Sequence, residues 1–432
     1  MKDSLQINHQ SDFYEVSPST ESVPTNVKQS VIIPNNSLQN FHFVVFADAT
    51  LYYNQPYRMK SIFVYLTAII TAVICSNTKN TVKVEDAIEK ARDLVRNFLN
   101  GTANGLAPGL VIGVTVKGER KWLEGFGLAN IENNVTMTGD AVMQIGSIGK
   151  SFTLGLASRL MYEGKLDFDA PIRDHLSYDE FPDRTWNGSV VNITLRQLFQ
   201  MTAGIPNGPN ESEVGTCLRC TNQTGRLAFV RDKKQDFEPG MNFTYSNFGI
   251  ELAGVVIEKI LRNKTFDVAF MEMVKNVLKL NETAIVNTAT ITPNLASFYT
   301  TNMRKVYNSG MWGDIFLNDF HAAGDAYHGR SEHFVKQSTV QDAWVPTEVS
   351  KNYLPYGLAW IIHNVTGDRP IGNRVVWHSG GTLGCRSMLT IYPETEIIVA
   401  ASVNLAESPI DAFLLEGSIA DLFFNATKAV NV

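Results

Sequence analysis

The placement of its strand-like segments restricts this chain's fold more than any other feature. Apolar alternation runs through Leu110–Val116 and Trp122–Leu128, on either side of Lys117-Gly118-Glu119-Arg120, which predicts a hairpin. The next strand-like segments are Arg374–Trp377, Arg386–Tyr392 and Ile397–Asn404, with Pro393-Glu394-Thr395-Glu396 as a turn. The residues between read as helical. Ser147–Glu163 carries Phe152, Leu156 and Leu160 on one stripe and stops at Gly164, and Leu195–Met201 and Ile250–Leu261 follow. Helices over Val84–Leu99 and Ile410–Phe424 flank the whole. Strands at both ends with helices between them imply an α+β, multi-lobed architecture. An antiparallel sheet flanked by helices is built from both chain ends, and a mainly helical lobe is inserted in its middle. The expected catalytic domain spans 84–428, with an α/β lobe of 84–155 and 355–428, a helical lobe of about 156–310 and a connecting region of 311–354.

At 432 residues, 44% hydrophobic and 19% charged, the chain can build a substantial core. Its 37 Lys+Arg against 43 Asp+Glu leave a net charge of −6, with no basic excess to displace counterions from nucleic-acid phosphates. The mixed composition excludes collagen, coiled coil and wholesale disorder. Four cysteines are too few for a disulfide-built scaffold. Cys217-Leu-Arg-Cys220 lacks the second Cys or His pair a zinc site needs, and it lacks the βαβ context of a redox motif. A short-loop disulfide between Cys217 and Cys220 is preferred over free thiols, and Cys385 has no evident partner.

Met59-Lys60 precedes an uncharged apolar run, Ile62–Cys75, whose 14 residues suit a signal-peptide core and fall short of a membrane span. Residues 59–76 are therefore read as a signal peptide, with an uncleaved anchor as the alternative. Residues 1–58, rich in Ser, Asn, Gln and Pro, are a disordered leader or a mis-assigned start. Downstream lie 11 Asn-x-Ser/Thr acceptors, at Asn100, Asn134, Asn187, Asn192, Asn210, Asn222, Asn242, Asn263, Asn281, Asn364 and Asn425. Chance at this composition would supply about 4. The excess points to a secreted or secretory-lumen glycoprotein. Membrane contact is expected only if residues 62–75 remain as an anchor.

Three short motifs occur in order: Ser147-Ile148-Gly149-Lys150, Tyr245-Ser246-Asn247 and His378-Ser379-Gly380. Ser147 opens a predicted helix, and i and i+3 share a helix face, so Lys150 falls beside its hydroxyl. A serine hydroxyl becomes a useful nucleophile only beside a base, and the helix N-terminus favours an oxyanion there. A lysine base must first give up its proton, which burial or a second cation promotes. Tyr245 can share that task, and Asn247 offers an amide to hold both a substrate carbonyl and Lys150. Ser76-Asn77-Thr78-Lys79 also fits Ser-x-x-Lys, but no amphipathic helix follows it. Gly149-Lys150-Ser151 imitates the tail of a phosphate loop whose first glycine would fall at Gln144, and no Gly-x-Ser-x-Gly elbow surrounds Ser147.

With these motifs, the chain resembles the serine β-lactamase and penicillin-binding-protein superfamily, in its class C β-lactamase-like branch. Asp167–Ile172, Ile193–Leu198, Thr202–Ile205, Pro239-Gly240, Tyr356-Gly357-Leu358-Ala359-Trp360, Gly384 and Pro393 also fit, over roughly Val84 to Phe424. The resemblance implies that Ser147 is acylated, that Lys150 and Tyr245 share proton transfer, and that Asn247, His378, Gly380 and Gly381 bind substrate. It places an oxyanion hole at the backbone N–H groups of Ser147 and Gly381. Where lactamases have Lys-Thr-Gly, this chain has His-Ser-Gly, which resembles family esterases and peptidases.

The resulting expectation is a secreted serine hydrolase working through an acyl-enzyme on a small ester or peptide-like amide, with no cofactor, metal or nucleic acid. β-Lactam antibiotics are not its main substrate. A transacylase and a catalytically silent scaffold are the alternatives.

Overall fold

The computed structural model describes residues 83–101, 107–208, 227, 230–285, 291–300, 305–306, 315–317, 336–351, 353–365, 370–382, 384–406 and 412–428. All lie in the unit spanning Ser76–Val432. The leader, the apolar run to Cys75, the Cys217/Cys220 pair, Asn210, Asn222 and most of 311–335 fall outside the described residues.

In chain order the elements begin with helix α1 (83–101). Strands β1 (Gly109–Val116), β2 (Glu119–Asn130), β3 (Val135–Thr136) and β4 (Met143–Gln144) follow, then α2 (Gly149–Tyr162). Next come β5 (Arg184–Trp186), β6 (Ser189–Val191), α3 (Leu195–Phe199), α4 (Asn247–Leu261) and α5 (Phe266–Glu272). Short strands β7 (Ala284–Ile285), β8 (Phe298–Tyr299), β9 (Lys305–Val306) and β10 (Ile315–Leu317) precede α6 (Gln337–Ala343). The chain closes with β11 (Ile361–Asn364), β12 (Arg374–Thr382), β13 (Cys385–Tyr392), β14 (Ile397–Val403) and α7 (Ala412–Lys428).

The main sheet has seven strands in the order β11-β12-β13-β14-β1-β2-β3. The two chain ends meet where β1 pairs antiparallel with β14, in register from Leu110↔Val403 to Val116↔Ile397. Gly109 N–H also donates to Asn404 Oδ1 at 2.8 Å, tying the start of β1 to the end of β14. The hairpin from β1 to β2 turns at Lys117 (φ 51°) and Gly118 (φ 70°), the two positive values a tight type I′ connection requires.

Every residue of β1 and of β14 is buried, because both faces of the sheet are covered. On one face, Ala91 and Val95 of α1 and Ile419 and Phe423 of α7 pack on Leu110, Val114 and Val399. On the other, Val111, Leu389, Ile391 and Ala400 join Ile148, Phe152 and the helical lobe. Helix α2 lies within this second core and is buried from Gly149 through Ser158. The one-sided stripe of Phe152, Leu156 and Leu160 is therefore only part of its buried surface: a helix wedged between a sheet and other helices has almost no solvent face.

Candidate active site

Ser147 lies in a single 3₁₀ turn, Gly146–Ile148, immediately before α2. In that geometry residues three apart eclipse one another, and Lys150 Nζ donates to Ser147 Oγ at 2.8 Å. Lys150 is only 8% exposed. Its Nζ stands 4.9 Å from the centre of the Tyr245 ring. The hydroxyl of Ser147, the amine of Lys150 and the ring of Tyr245, from a distant segment, are thus brought together.

Tyr245 is held by the loop after α3. Thr244 N–H donates to Met201 O at 3.0 Å and Gly240 N–H to Thr202 O at 2.7 Å. Ser246 caps α4 by accepting from Gly249 N–H at 2.9 Å, and its own hydroxyl donates to Pro206 O at 2.9 Å. Asn247 is the first helical residue. Its backbone N–H donates to Asn207 Oδ1 at 3.0 Å, and its Nδ2 lies 3.4 Å from the same oxygen. No hydrogen bond joins Asn247 to Lys150 among the described residues. The amide is turned towards Asn207, so the expected Asn247–Lys150 contact is corrected to an Asn247–Asn207 one.

The third motif lies inside β12, and its side chains alternate across that strand. His378 is 2% exposed, and both ring nitrogens are engaged. Ser379 O accepts a hydrogen bond from Nδ1 at 2.6 Å, and Nε2 accepts one from the Tyr356 hydroxyl at 3.0 Å. Burial, and then the charge of Lys150, pushes the His378 pKa down to about 3, so the ring is neutral. Burial, and then Tyr245, raises the Tyr356 pKa well above the usual phenol value, consistent with its donating. The Tyr356 and Tyr245 rings meet edge to face at 6.1 Å. His378 therefore cannot offer a ring nitrogen to a substrate. The substrate-binding expectation for it is corrected: the ring braces Tyr356, which packs on Tyr245.

Gly380 has a packing reason of its own. It is buried, and a Cβ there would run into Ile145 O and Ser387 Oγ, so a glycine lets β12 approach the segment before Ser147 closely. Gly381 is exposed. Its N lies 2.7 Å from where a Cβ on Gly146 would stand, and Gly146 has φ +51°. The backbone of Gly381 is thus pressed against the residue preceding Ser147. Tyr356 and Asn207 escaped the sequence reading as functional positions. Tyr356 sits in a segment noted only for its resemblance, and Asn207 lies in a loop with no distinguishing pattern. Cys385 is a buried thiol in no disulfide among the described residues, and its Sγ donates to Gln144 O at 3.2 Å. No cluster of His, Cys, Asp or Glu suited to a metal occurs among the described residues, and no described helix is long and apolar enough to cross a membrane.

Comparison with known proteins agrees with this geometry. The human serine beta-lactamase-like protein LACTB, mitochondrial, is 27% identical, over 65% of this chain and 68% of its own. Among solved structures, an octameric penicillin-binding protein homologue from Pyrococcus abyssi superposes with TM-score 0.66 at 22% identity, covering 78% of this chain and 77% of that one. EstCE1, described as a hydrolase with promiscuous acyltransferase activity, superposes with TM-score 0.63 at 18% identity over 81% of this chain and all of its own. The family model described as Beta-lactamase matches residues 91–422, a stretch containing all three motifs, and on that match the chain belongs to the β-lactamase family.

Proposed function

We propose that this chain is a secreted serine hydrolase that forms an acyl-enzyme at Ser147 with an ester or peptide-like amide. The observation that carries the reading is the 2.8 Å contact between Lys150 Nζ and Ser147 Oγ, with the Tyr245 ring over the same amine. In acylation Ser147 Oγ bonds to the substrate carbonyl carbon, and its proton passes by way of Lys150 and Tyr245 to the leaving oxygen or nitrogen as that bond breaks. The N–H groups of Ser147 and Gly381 would receive the oxyanion. Water then cleaves the acyl ester and returns the proton to the serine. A β-lactam is a poor fit as main substrate in this reading, because the buried, neutral His378 does not supply the charge of the lysine that lactamases carry in the third motif. Transfer of the acyl group to an alcohol or amine is the second reading, favoured by the promiscuous acyltransferase activity of EstCE1.

A fluorophosphonate probe tests the hydrolase reading. Wild-type protein is expected to be labelled at one site, Ser147→Ala to be unlabelled, and nitrocefin to be turned over far more slowly than by a true lactamase. A folded wild-type protein that resists the probe would leave only the silent scaffold.

Export is part of the proposal. The acceptor asparagines at 100, 134, 187, 192, 242, 263, 281, 364 and 425 are all exposed, as an attached glycan requires. Protein recovered from the medium of insect cells should lose mass on treatment with peptide N-glycosidase. Retention in mitochondria, the location in the human relative's name, with no mass change would overturn export.

A further inference from the structure

We infer that Tyr356 is a positioning residue of this site: braced by His378, it holds the Tyr245 ring against Lys150 and so acts on proton transfer without touching substrate. The inference rests on the hydrolase reading and adds the residue that keeps its phenol in place. The Tyr245 hydroxyl has no hydrogen-bond partner among the described residues, so packing sets where its ring lies. That ring meets Tyr356 edge to face at 6.1 Å and His378 at 6.3 Å, with Lys150 Nζ 4.9 Å from its centre. The Tyr356 and His378 rings are in turn 5.9 Å apart and at 83° to each other, which closes a triangle of three rings.

Tyr356 is fixed at every polar group. Its N–H donates to Ser350 Oγ at 3.0 Å, its carbonyl accepts from Thr347 N–H at 2.9 Å, and its hydroxyl donates to His378 Nε2 at 3.0 Å. Phe243, two residues before Tyr245, packs on the same ring with centres 5.7 Å apart. Residues 243 and 245 of one loop thus both lean on a ring that the 3₁₀ turn Glu348–Ser350 and β12 hold still. Tyr356 itself is 0% exposed, so it cannot reach a substrate, and its effect must pass through Tyr245. Without that support the Tyr245 ring has room to turn away from Lys150. A misplacement of about 1 Å at a reacting group costs about 10²-fold in rate.

Steady-state hydrolysis of p-nitrophenyl butyrate tests this. In Tyr356→Leu, kcat is expected to fall about 10- to 100-fold, with KM within about threefold of wild type. Tyr356→Phe keeps the ring and its edge contact, and should lose less than about fivefold. In a Tyr245→Phe background, adding Tyr356→Leu should cost less than about threefold, because the phenol it positions is already gone. A wild-type rate in Tyr356→Leu, equal losses in both backgrounds, or a loss confined to KM would overturn the inference and leave the hydrolase reading intact. Where Tyr356→Leu does not fold, His378→Leu and His378→Gln carry the same comparison. The leucine leaves the Tyr356 hydroxyl buried without an acceptor and should lower kcat by about tenfold or more, whereas the glutamine oxygen still accepts and should hold it within about threefold. Equal rates for that pair would again overturn the inference. If wild-type protein neither turns over the ester nor takes the fluorophosphonate at Ser147, both readings fall together.

Discussion

Lys150→Met is expected to slow acylation of Ser147 by about 10²–10⁴-fold, the usual contribution of a positioned acid–base group, while the fold persists. The substitution suits the site because Lys150 is nearly buried, its Nζ reaching Ser147 Oγ at one end and the Tyr245 ring at its side. Methionine fills much the same volume without a charge or a proton-accepting amine. The second-order rate of fluorophosphonate labelling should fall accordingly, while circular dichroism and the melting midpoint stay close to wild type. Labelling within threefold of wild type would show that the amine takes no part in activating the hydroxyl.

Acidification should destabilise the protein through a single imidazole. His378 has an ordinary pKa of 6.5 and one of about 3 in the folded chain. Between those values the unfolded chain binds a proton that the folded chain refuses, so stability is lost as pH falls from 6.5 towards 3. At pH 5 the loss is about 2 kcal/mol, from 1.36 kcal/mol per unit over the 1.5 units below 6.5. Urea midpoints at pH 7, 6 and 5 check this against His378→Gln, whose amide oxygen can still accept from the Tyr356 hydroxyl. The variant should show a shallower decline, by up to one proton's worth of slope. Parallel curves would mean that the ring is protonated in the folded protein without penalty. The same burial means that an acid limb of kcat/KM between pH 5 and 7 should not arise from His378.

Much of the scaffold could be read from local pattern. The hairpin around Lys117-Gly118, the Gly164 stop and the terminal strands are each dictated within about ten residues, where periodicity and turn chemistry act. The Ser147–Lys150 contact was legible for the same reason, since three residues of helical chain suffice to make it. What escaped depends on contacts between distant segments. His378 looks like a ligand-facing group at the end of a polar motif, and only the packing of Tyr356 and Tyr245 shows that it faces inward. Asn247 was paired with Lys150 because both belong to motifs. Asn207 takes its amide instead through a loop whose position depends on Met201 and Pro206. Motif membership makes Gly380 a substrate-binding candidate, and only the fold shows the separate packing demand for a glycine there, set by the oxygen of Ile145, well over two hundred residues earlier.

The pairing of β1 with β14 has a consequence for biogenesis. The first hairpin leaves the ribosome before the whole helical lobe, but the strand that pairs with β1 on its other side emerges only after it, and closing so long a loop is slow. Until then β1 has β2 on one side only, and its other edge, along Leu110, Ile112 and Val114, is unpaired, a liability for an apolar strand. Gly381 also emerges long after Ser147, so a nascent chain that stops short of it carries the serine without the backbone that presses against Gly146.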